Sequence, residues 1–124
     1  MNNRTHDNSI QGNNVDDCYI VTISDKFTDD SLKQLCDDTI QIAHNEKIKG
    51  IIFSFVNVNI VDSFSLHLLS DVTRTISLFG VDVVWIGLKP GIIATVLDLQ
   101  INIESIEFAF DVNEGIKIIQ NRLQ

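Results

Sequence analysis

Several features that define common protein classes are scarce or missing in this chain of 124 residues. It has a single proline, two cysteines, and only 9 lysines and arginines against 17 acidic residues, which leaves a net charge of −8. The scarcity of basic residues argues against a nucleic-acid partner and against an anionic membrane surface. No apolar run approaches the roughly 20 residues of a membrane-spanning helix, and the chain does not start like a signal peptide. We therefore expect a single cytoplasmic domain without nucleic-acid or membrane partners.

The motifs of common catalytic and cofactor sites are also absent. Neither phosphate-binding loop, GxxxxGK followed by Ser or Thr and GxGxxG, occurs, and HExxH and G-x-S-x-G are missing too. Cys18 and Cys36 have no nearby His or Cys partner, so we expect buried, reduced thiols rather than a metal site or a disulfide. The sequence therefore gives no sign of these catalytic sites, and we expect no metal and no cofactor.

What the chain does contain is a regular alternation of apolar patterns behind a polar start. Residues 1–14 are rich in Asn, carry one large apolar residue, Ile10, and predict a disordered or weakly ordered arm. Residues 15–124 follow the order strand, helix, strand, helix, strand, helix, short strand, helix. This alternation predicts one α/β domain with a mainly parallel sheet.

The expected strands are residues 18–23, 51–56 and 81–86, which are rich in β-branched and aromatic residues, and a short one around residues 105–106. The second of these is apolar almost throughout, so we expect a central strand covered on both faces. Several residues mark the ends of the predicted helices. Thr28, Pro90 and the Asp111–Glu114 pair are typical of helix starts, and Gly80 is typical of a helix end.

The second predicted helix has a clear apolar stripe at helical spacing. The stripe consists of Phe64, Leu68, Val72, Ile76 and Phe79. Thr73 falls one position off this stripe, so we expect it on the flank of the helix. Ser65 and Thr73 are the weaker candidates for a modified hydroxyl beside the one described next.

The start of this helix holds the most informative residues. Asp62 and Ser63 fit an ordinary capping pair, and a helix start also tolerates a phosphoryl group because its N–H groups are unpaired. His67 lies one turn after Ser63, within reach on a helix. A Ser–His nucleophile also needs an orienting group and an oxyanion hole, and the sequence shows neither as a motif. We therefore expect His67 to be exposed or to face a partner.

One hypothesis makes Asp62 a phosphoacceptor, as in a two-component receiver domain. Receivers also carry an acidic pair after their first strand and a Lys-Pro pair after their last, and Asp25 and Lys89-Pro90 fit superficially. Only one acid follows the first strand here, and the chain has too few strand–helix units. A receiver-like domain phosphorylated on Asp62 is kept as the alternative.

The other hypothesis makes Ser63 the phosphoacceptor and follows from a resemblance. The segments that carry it are residues 60–64 (IVDSF), 68–72 (LLSDV), 78–90 (LFGVDVVWIGLKP) and 94–99 (ATVLDL). They resemble the STAS domain family and, within it, the RsbS type of stressosome scaffold, at similar spacing over residues 18–120. The resemblance implies a single STAS domain, with a small mixed β-sheet and helices mainly on one face.

The resemblance also implies a function without catalysis. RsbS-type scaffolds, a kind of anti-sigma factor antagonist, join RsbR-type STAS paralogues in a large hetero-oligomer and hold an RsbT-type serine kinase inactive. Phosphorylation of the scaffold releases the kinase to drive a bacterial stress-signalling output, and an RsbX-type phosphatase resets the state. The motif match places the phosphate on Ser63. Four neighbours would contact partners near this switch: Asn59, Asp62, Phe64 and His67.

Three positions depart from the family pattern. Ser54 and Asn59 stand where many STAS domains carry acidic residues, so contacts made through those carboxylates are lost. Ile86 stands where RsbR-type paralogues carry a second phosphorylatable Thr. The last departure favours the single-site RsbS type.

Overall fold

Five strands form one mixed sheet in the computed structural model, which describes residues 12–102, 104 and 106–122. In chain order they are β1 (Gly12–Val15), β2 (Cys18–Thr22), β3 (Gly50–Ser54), β4 (Asp82–Ile86) and β5 (Glu107–Ala109). The strands lie side by side in the same order. β1 pairs antiparallel with β2, and the other three pairs are parallel. The predicted α/β class and mixed sheet are confirmed.

Four α-helices complete the described part of the chain: α1 (Asp29–Asn45), α2 (Ser63–Ser77), α3 (Pro90–Asp98) and α4 (Val112–Arg122). The buried residues of α1, α2 and α3 belong to one large core on one face of the sheet, whereas α4 packs on the other face. The expectation of helices mainly on one face is confirmed, with α4 as the exception. Among the described residues, no helix has the length and apolar character to cross a bilayer.

β3 lies at the centre of the sheet, and all five of its residues are buried. Its side chains alternate between the two faces, as the pleat requires: Ile51 and Phe53 join the large core and Ile52 the smaller one under α4. At Gly50 an added Cβ would lie 2.4 Å from Ile119 Cδ1. Glycine at this position therefore lets α4 pack directly on the central strand.

The helix ends follow the sequence signals. The Thr28 hydroxyl accepts a hydrogen bond from Ser31 N at 3.1 Å, and Pro90 is the first residue of α3. Gly80, with φ +82°, follows the end of α2. Asp111 Oδ1 accepts from Glu114 N at 2.9 Å at the start of α4. These helix ends were predictable because each is marked by a residue type with a strong preference for that end of a helix.

The N-terminal boundary differs from the prediction. Residues 12–14, assigned to the polar, Asn-rich arm, belong to β1 although Gly and Asn are poor strand formers, while residues 1–11 lie outside the described part. Asp16 and Asp17 have φ values of 52° and 64° and join β1 to β2. Positive φ at both central residues matches a tight type I′ hairpin turn. The turn and the pairing of β1 with β2 outweigh the poor strand propensity.

The last strand and the buried face of α2 also differ from the prediction. β5 spans Glu107–Ala109, later in the chain than residues 105–106, because pairing with β4 sets the position of this short edge strand. Phe64 in the first turn of α2 and Phe79, just after the helix ends, are 38% and 42% exposed, whereas Thr73 within α2 is completely buried. Thr73 therefore belongs to the core and not to the flank of the helix.

Both cysteines are free and buried, as predicted, and they lie on opposite faces of the sheet. Burial raises the pKa of the Cys36 thiol to about 12, and burial with nearby acidic residues raises the pKa of Cys18. Neither thiol is therefore available as a thiolate at neutral pH.

Candidate functional site

The loops that follow the parallel strands gather at one edge of the sheet. Thr22, Ser54 and Ile86 are aligned across β2, β3 and β4, so these strands end together. Ile23 N donates to Ser54 O and Phe55 N to Ile86 O, each at 2.9 Å, which continues the alignment into the loops. The carboxyl edge of a parallel sheet is where α/β proteins bind their ligands. The loop of residues 55–62, here called the switch loop, lies at this edge.

Asp62 ends the switch loop and caps α2. Its backbone is extended, with φ −94° and ψ 171°, and its Oδ1 accepts from Ser65 N at 2.8 Å. Hydrogen bonds from the backbone N–H and then the side chain of Ser65 lower the pKa of the Asp62 carboxyl. The aspartate is therefore an anion at neutral pH, and its charge faces the positive end of the helix.

Ser63 is the first residue of α2, and its side chain is exposed. In this first turn, Ser65 N is bonded to Asp62 Oδ1 and Leu66 N to Asp62 O, at 2.8 and 3.2 Å. The two N–H groups before them, those of Ser63 and Phe64, have no intrahelical acceptor because a helix leaves its first donors unpaired. An exposed hydroxyl beside two free donors is accessible to a kinase and can carry a phosphoryl group.

An apolar and basic surface surrounds this first turn. Lys33 of α1 places its Nζ 5.5 Å from the centre of the Phe64 ring, a cation–π contact. His67 is exposed one turn further along α2, as expected, and Ile60 is 77% exposed. The sequence did not point to Lys33 or Ile60. Lys33 reaches Phe64 through the packing of α1 on α2, for which the sequence carries no local signal.

Asn59, one of the positions that lack the family acid, lies at the exposed outer part of the switch loop. Its backbone N–H donates to Asp25 Oδ2 at 3.2 Å, across from the loop after β2. A carboxylate is thus present at this loop, although it comes from another segment. The other position, Ser54, is 5% exposed within β3.

Lys89 holds the inner part of the switch loop, a role that the sequence did not reveal. Its Nζ donates to Val56 O at 2.7 Å and to Val58 O at 3.3 Å. Gly87, with φ +72°, lets the segment that carries Lys89 lie against Val56, since a Cβ on Gly87 would lie 2.4 Å from Val56 Cγ1. The Gly-Leu-Lys-Pro segment therefore fixes the loop from which Ser63 emerges.

The geometry disagrees with the receiver alternative. A receiver has a flavodoxin-like sheet with the strand order 2-1-3-4-5, whereas the order here is β1-β2-β3-β4-β5 with β1 antiparallel. Asp62 is the last residue of the switch loop, away from the end of β3, and uses its carboxylate to cap α2. Within residues 12–102, 104 and 106–122, no three His, Cys, Asp or Glu side chains are grouped as metal ligands. The receiver hypothesis is therefore wrong.

The comparison with family models agrees with this fold. The model of the STAS domain matches residues 9–115, so this chain belongs to the STAS domain family. Its Ile86, where some relatives are expected to carry a second Thr, is 1% exposed and packs under α4. A search of curated proteins found no match.

Several solved structures of STAS proteins have a similar fold. A serine-to-glutamate variant of RsbS from Moorella thermoacetica superposes with a TM-score of 0.83 at 22% identity, covering 92% of this chain and 97% of the other. A chain from a structure of the stressosome, a signal integration and transduction hub, gives 0.80 at 23% identity, with 91% and 98% covered. Phosphorylated SpoIIAA, a Bacillus cell fate determinant, gives 0.66 at 12% identity, with 93% and 99% covered. At these identities the likeness is one of fold.

Proposed function

We propose that this chain is a non-catalytic scaffold of the RsbS type, controlled by phosphorylation of Ser63. In this proposal it assembles in the cytoplasm with RsbR-type STAS paralogues and holds an RsbT-type serine kinase inactive. Phosphorylation releases the kinase to a stress-signalling output, and an RsbX-type phosphatase restores the first state. The observation that carries the proposal is the exposed Ser63 hydroxyl at the first position of α2, beside two free N–H donors.

Electrostatics at this position favour a change in binding over a change in fold. A phosphoryl group adds about −1.5 to −2 charges. The helix start returns roughly 0.3–1 kcal/mol, and repulsion from Asp62 costs about 1 kcal/mol per charge pair 4 Å apart in water. The two effects nearly cancel on an exposed surface. A docked kinase would bury the phosphoryl dianion. The costs of desolvation and of like-charge repulsion would then weaken the complex with the kinase.

Two further observations support the proposal. SpoIIAA, a similar structure, is described in a phosphorylated form, so this fold tolerates the modification in at least one relative. Lys33, whose Nζ lies over the Phe64 ring, supplies a cation beside the first turn of α2. A partner that approaches Ser63 meets Asp62, Phe64, His67 and Asn59, the surface expected to make partner contacts.

The direct test maps the phosphate. The chain is incubated with its cognate serine kinase and ATP, and the product is digested and sequenced by mass spectrometry. We expect one acid-stable phosphate on Ser63, absent in Ser63→Ala and retained in Ser65→Ala, the matched control from the same turn. A phosphate elsewhere, or none, contradicts the proposal.

A second test concerns kinase capture. Ser63→Asp should weaken binding of the kinase about tenfold or more, while Ser63→Asn, of the same size without the charge, should bind like the wild type. Surface plasmon resonance with immobilised kinase measures both. Equal capture by the Asp variant and the wild type would show that charge at Ser63 does not control the complex. Co-expression with an RsbR-type paralogue should give a very large particle on a sizing column.

A further inference from the structure

A groove of about 750 Å³ opens beside the switch loop, at the same edge of the sheet as Ser63. Its apolar walls come from α3 and from the end of β5. Ile93, Leu97, Phe108 and Phe110 line it and remain 45%, 56%, 37% and 83% exposed. Small-molecule sites have volumes of roughly 300–1,000 Å³ and mostly apolar walls with a few polar groups. The groove has this size and character.

The polar groups of the lining determine the charge of a ligand. Lys89 is the one basic residue that lines the groove within the described part of the chain, and Asp111 is the one acidic residue. An ammonium group has three N–H donors, and Lys89 gives two of them to Val56 O and Val58 O. One donor and the full positive charge are left. Asp111 is engaged, because its Oδ1 caps Glu114 N.

We propose that this groove binds a carboxylate with a linear aliphatic chain, its head group on Lys89 Nζ and its tail along Ile93, Leu97 and Phe108. One ammonium donor suits one small monoanionic head group. An extended apolar wall without further cations suits an unbranched hydrocarbon. Binding in this groove does not depend on phosphorylation of Ser63. The binding experiment therefore tests the groove independently of the proposed function.

The chain contains its own reporter for this binding. Trp85 is its single tryptophan, it is completely buried, and its ring meets the Phe108 ring edge-on with centroids 6.0 Å apart. A tail that displaces or shields Phe108 changes the surroundings of the indole. Binding is therefore measurable as a change in tryptophan emission, with calorimetry as an independent method.

The experiment titrates the full chain with octanoate, decanoate and dodecanoate below their micelle concentrations, and with decanol. We expect saturable one-to-one binding that tightens about fourfold for each added methylene. Decanoate should bind about tenfold more tightly than decanol, because the neutral alcohol forms no ion pair with Lys89. No saturable binding, no dependence on chain length, or equal affinity for the acid and the alcohol would overturn the proposal.

Variants locate the site. Lys89→Met should reduce decanoate affinity about tenfold and leave decanol unchanged, and Leu97→Asp should abolish binding of both. Asp111→Asn keeps a good helix cap and removes the one acidic side chain of the lining, so it should bind decanoate more tightly. This variant tests the role of charge even if Lys89→Met disturbs the switch loop. Leu78→Asp, at an 85% exposed position outside the groove lining, is the matched control and should bind normally.

Two outcomes of the variants contradict the proposal. Normal decanoate binding by Leu97→Asp would place the ligand elsewhere. Sedimentation could instead show that the wild type self-associates, that Leu97→Asp abolishes this, and that decanoate does not compete. A second copy of the chain would then be the occupant of the groove, and the proposal would be wrong.

Discussion

Two hydroxyl side chains on α2, those of Ser63 and Thr73, have opposite surroundings. Ser63 begins the helix at the carboxyl edge of the sheet and is exposed. Thr73 lies over the sheet and is completely buried; it donates to Leu69 O at 2.8 Å and accepts from Trp85 Nε1 at 3.0 Å. The two hydroxyls differ because Ser63 lies in the first turn, at the edge of the sheet, whereas Thr73 faces the sheet and the Trp85 indole.

The two positions also differ in the groups that would surround a charged side chain. Around Ser63 there are solvent, free N–H donors and the Lys33 ammonium near the Phe64 ring. Around Thr73 there is the Trp85 indole, itself packed on Phe55 with ring centroids 5.0 Å apart. One helix therefore combines a site suited to modification with a polar contact that holds the helix to β4. The following predictions test this difference, in order of decreasing effect.

The largest effect is expected for a buried charge. Thr73→Asp places an unpaired carboxylate in the core and should lower the free energy of unfolding by about 3–5 kcal/mol. Urea denaturation followed by circular dichroism measures the loss, and Ser63→Asp is the matched substitution on the same helix. If Thr73→Asp were as stable as Ser63→Asp, the two positions would not differ as the structure indicates.

The hydrogen bond between Thr73 and Trp85 should have a smaller effect. Thr73→Val keeps the shape but leaves the buried indole N–H without an acceptor, which should cost about 1–3 kcal/mol. Trp85→Phe removes that donor, so the double variant should show a coupling energy of about 0.5–3 kcal/mol in urea unfolding. Strictly additive losses would mean that the hydrogen bond does not join α2 to β4.

The helix cap formed by Asp62 should contribute about 1 kcal/mol to the free energy of unfolding, and Asp62→Ala should lose this contribution. The pKa of Asp62 is lowered in the folded state, chiefly by the Ser65 N–H. Its stabilising effect is therefore complete above the unfolded pKa, near 3.9, and disappears as the pH falls through the folded value. Urea unfolding at pH 7, 5 and 3 should show the difference from the wild type shrinking only at the lowest pH. Asp62→Asn caps without titrating, and a pH-independent difference for Asp62→Ala would contradict this account.

The smallest effect on stability is expected at Ser63. Ser63→Asp should change the free energy of unfolding by less than about 1 kcal/mol, since helix-start attraction and repulsion from Asp62 offset each other. The melting temperature should stay within a few degrees of the wild type while kinase capture falls. A loss as large as that of Thr73→Asp would mean that phosphorylation acts by unfolding the domain.

The comparison of these two residues also shows what the sequence could and could not predict. The helix start at Asp62 and Ser63 was predictable because a helix start has a local signature. Thr73 was misplaced because a polar residue does not count toward an apolar stripe, although the indole N–H of Trp85 makes it a core residue. The large apolar residues Phe64 and Phe79 drew the predicted stripe toward positions that are partly exposed.

Other differences share the same physical origin. The tight turn at Asp16 and Asp17 was not predicted, because positive φ at two aspartates is not visible in the sequence. The contact between Lys89 and the switch loop joins segments far apart in the chain, and only the aligned ends of β3 and β4 bring them together. Local signals were thus sufficient for most elements, and contacts between distant loops required the folded structure.

The burial of both thiols has a consequence for oxidative conditions. With its pKa raised to about 12 by burial, the Cys36 thiol is protonated at pH 7. Peroxide attacks thiolates that are exposed, so neither Cys18 nor Cys36 should form a sulfenic acid or exchange with glutathione while the domain is folded. While the domain is folded, an oxidant therefore meets no reactive thiol on it.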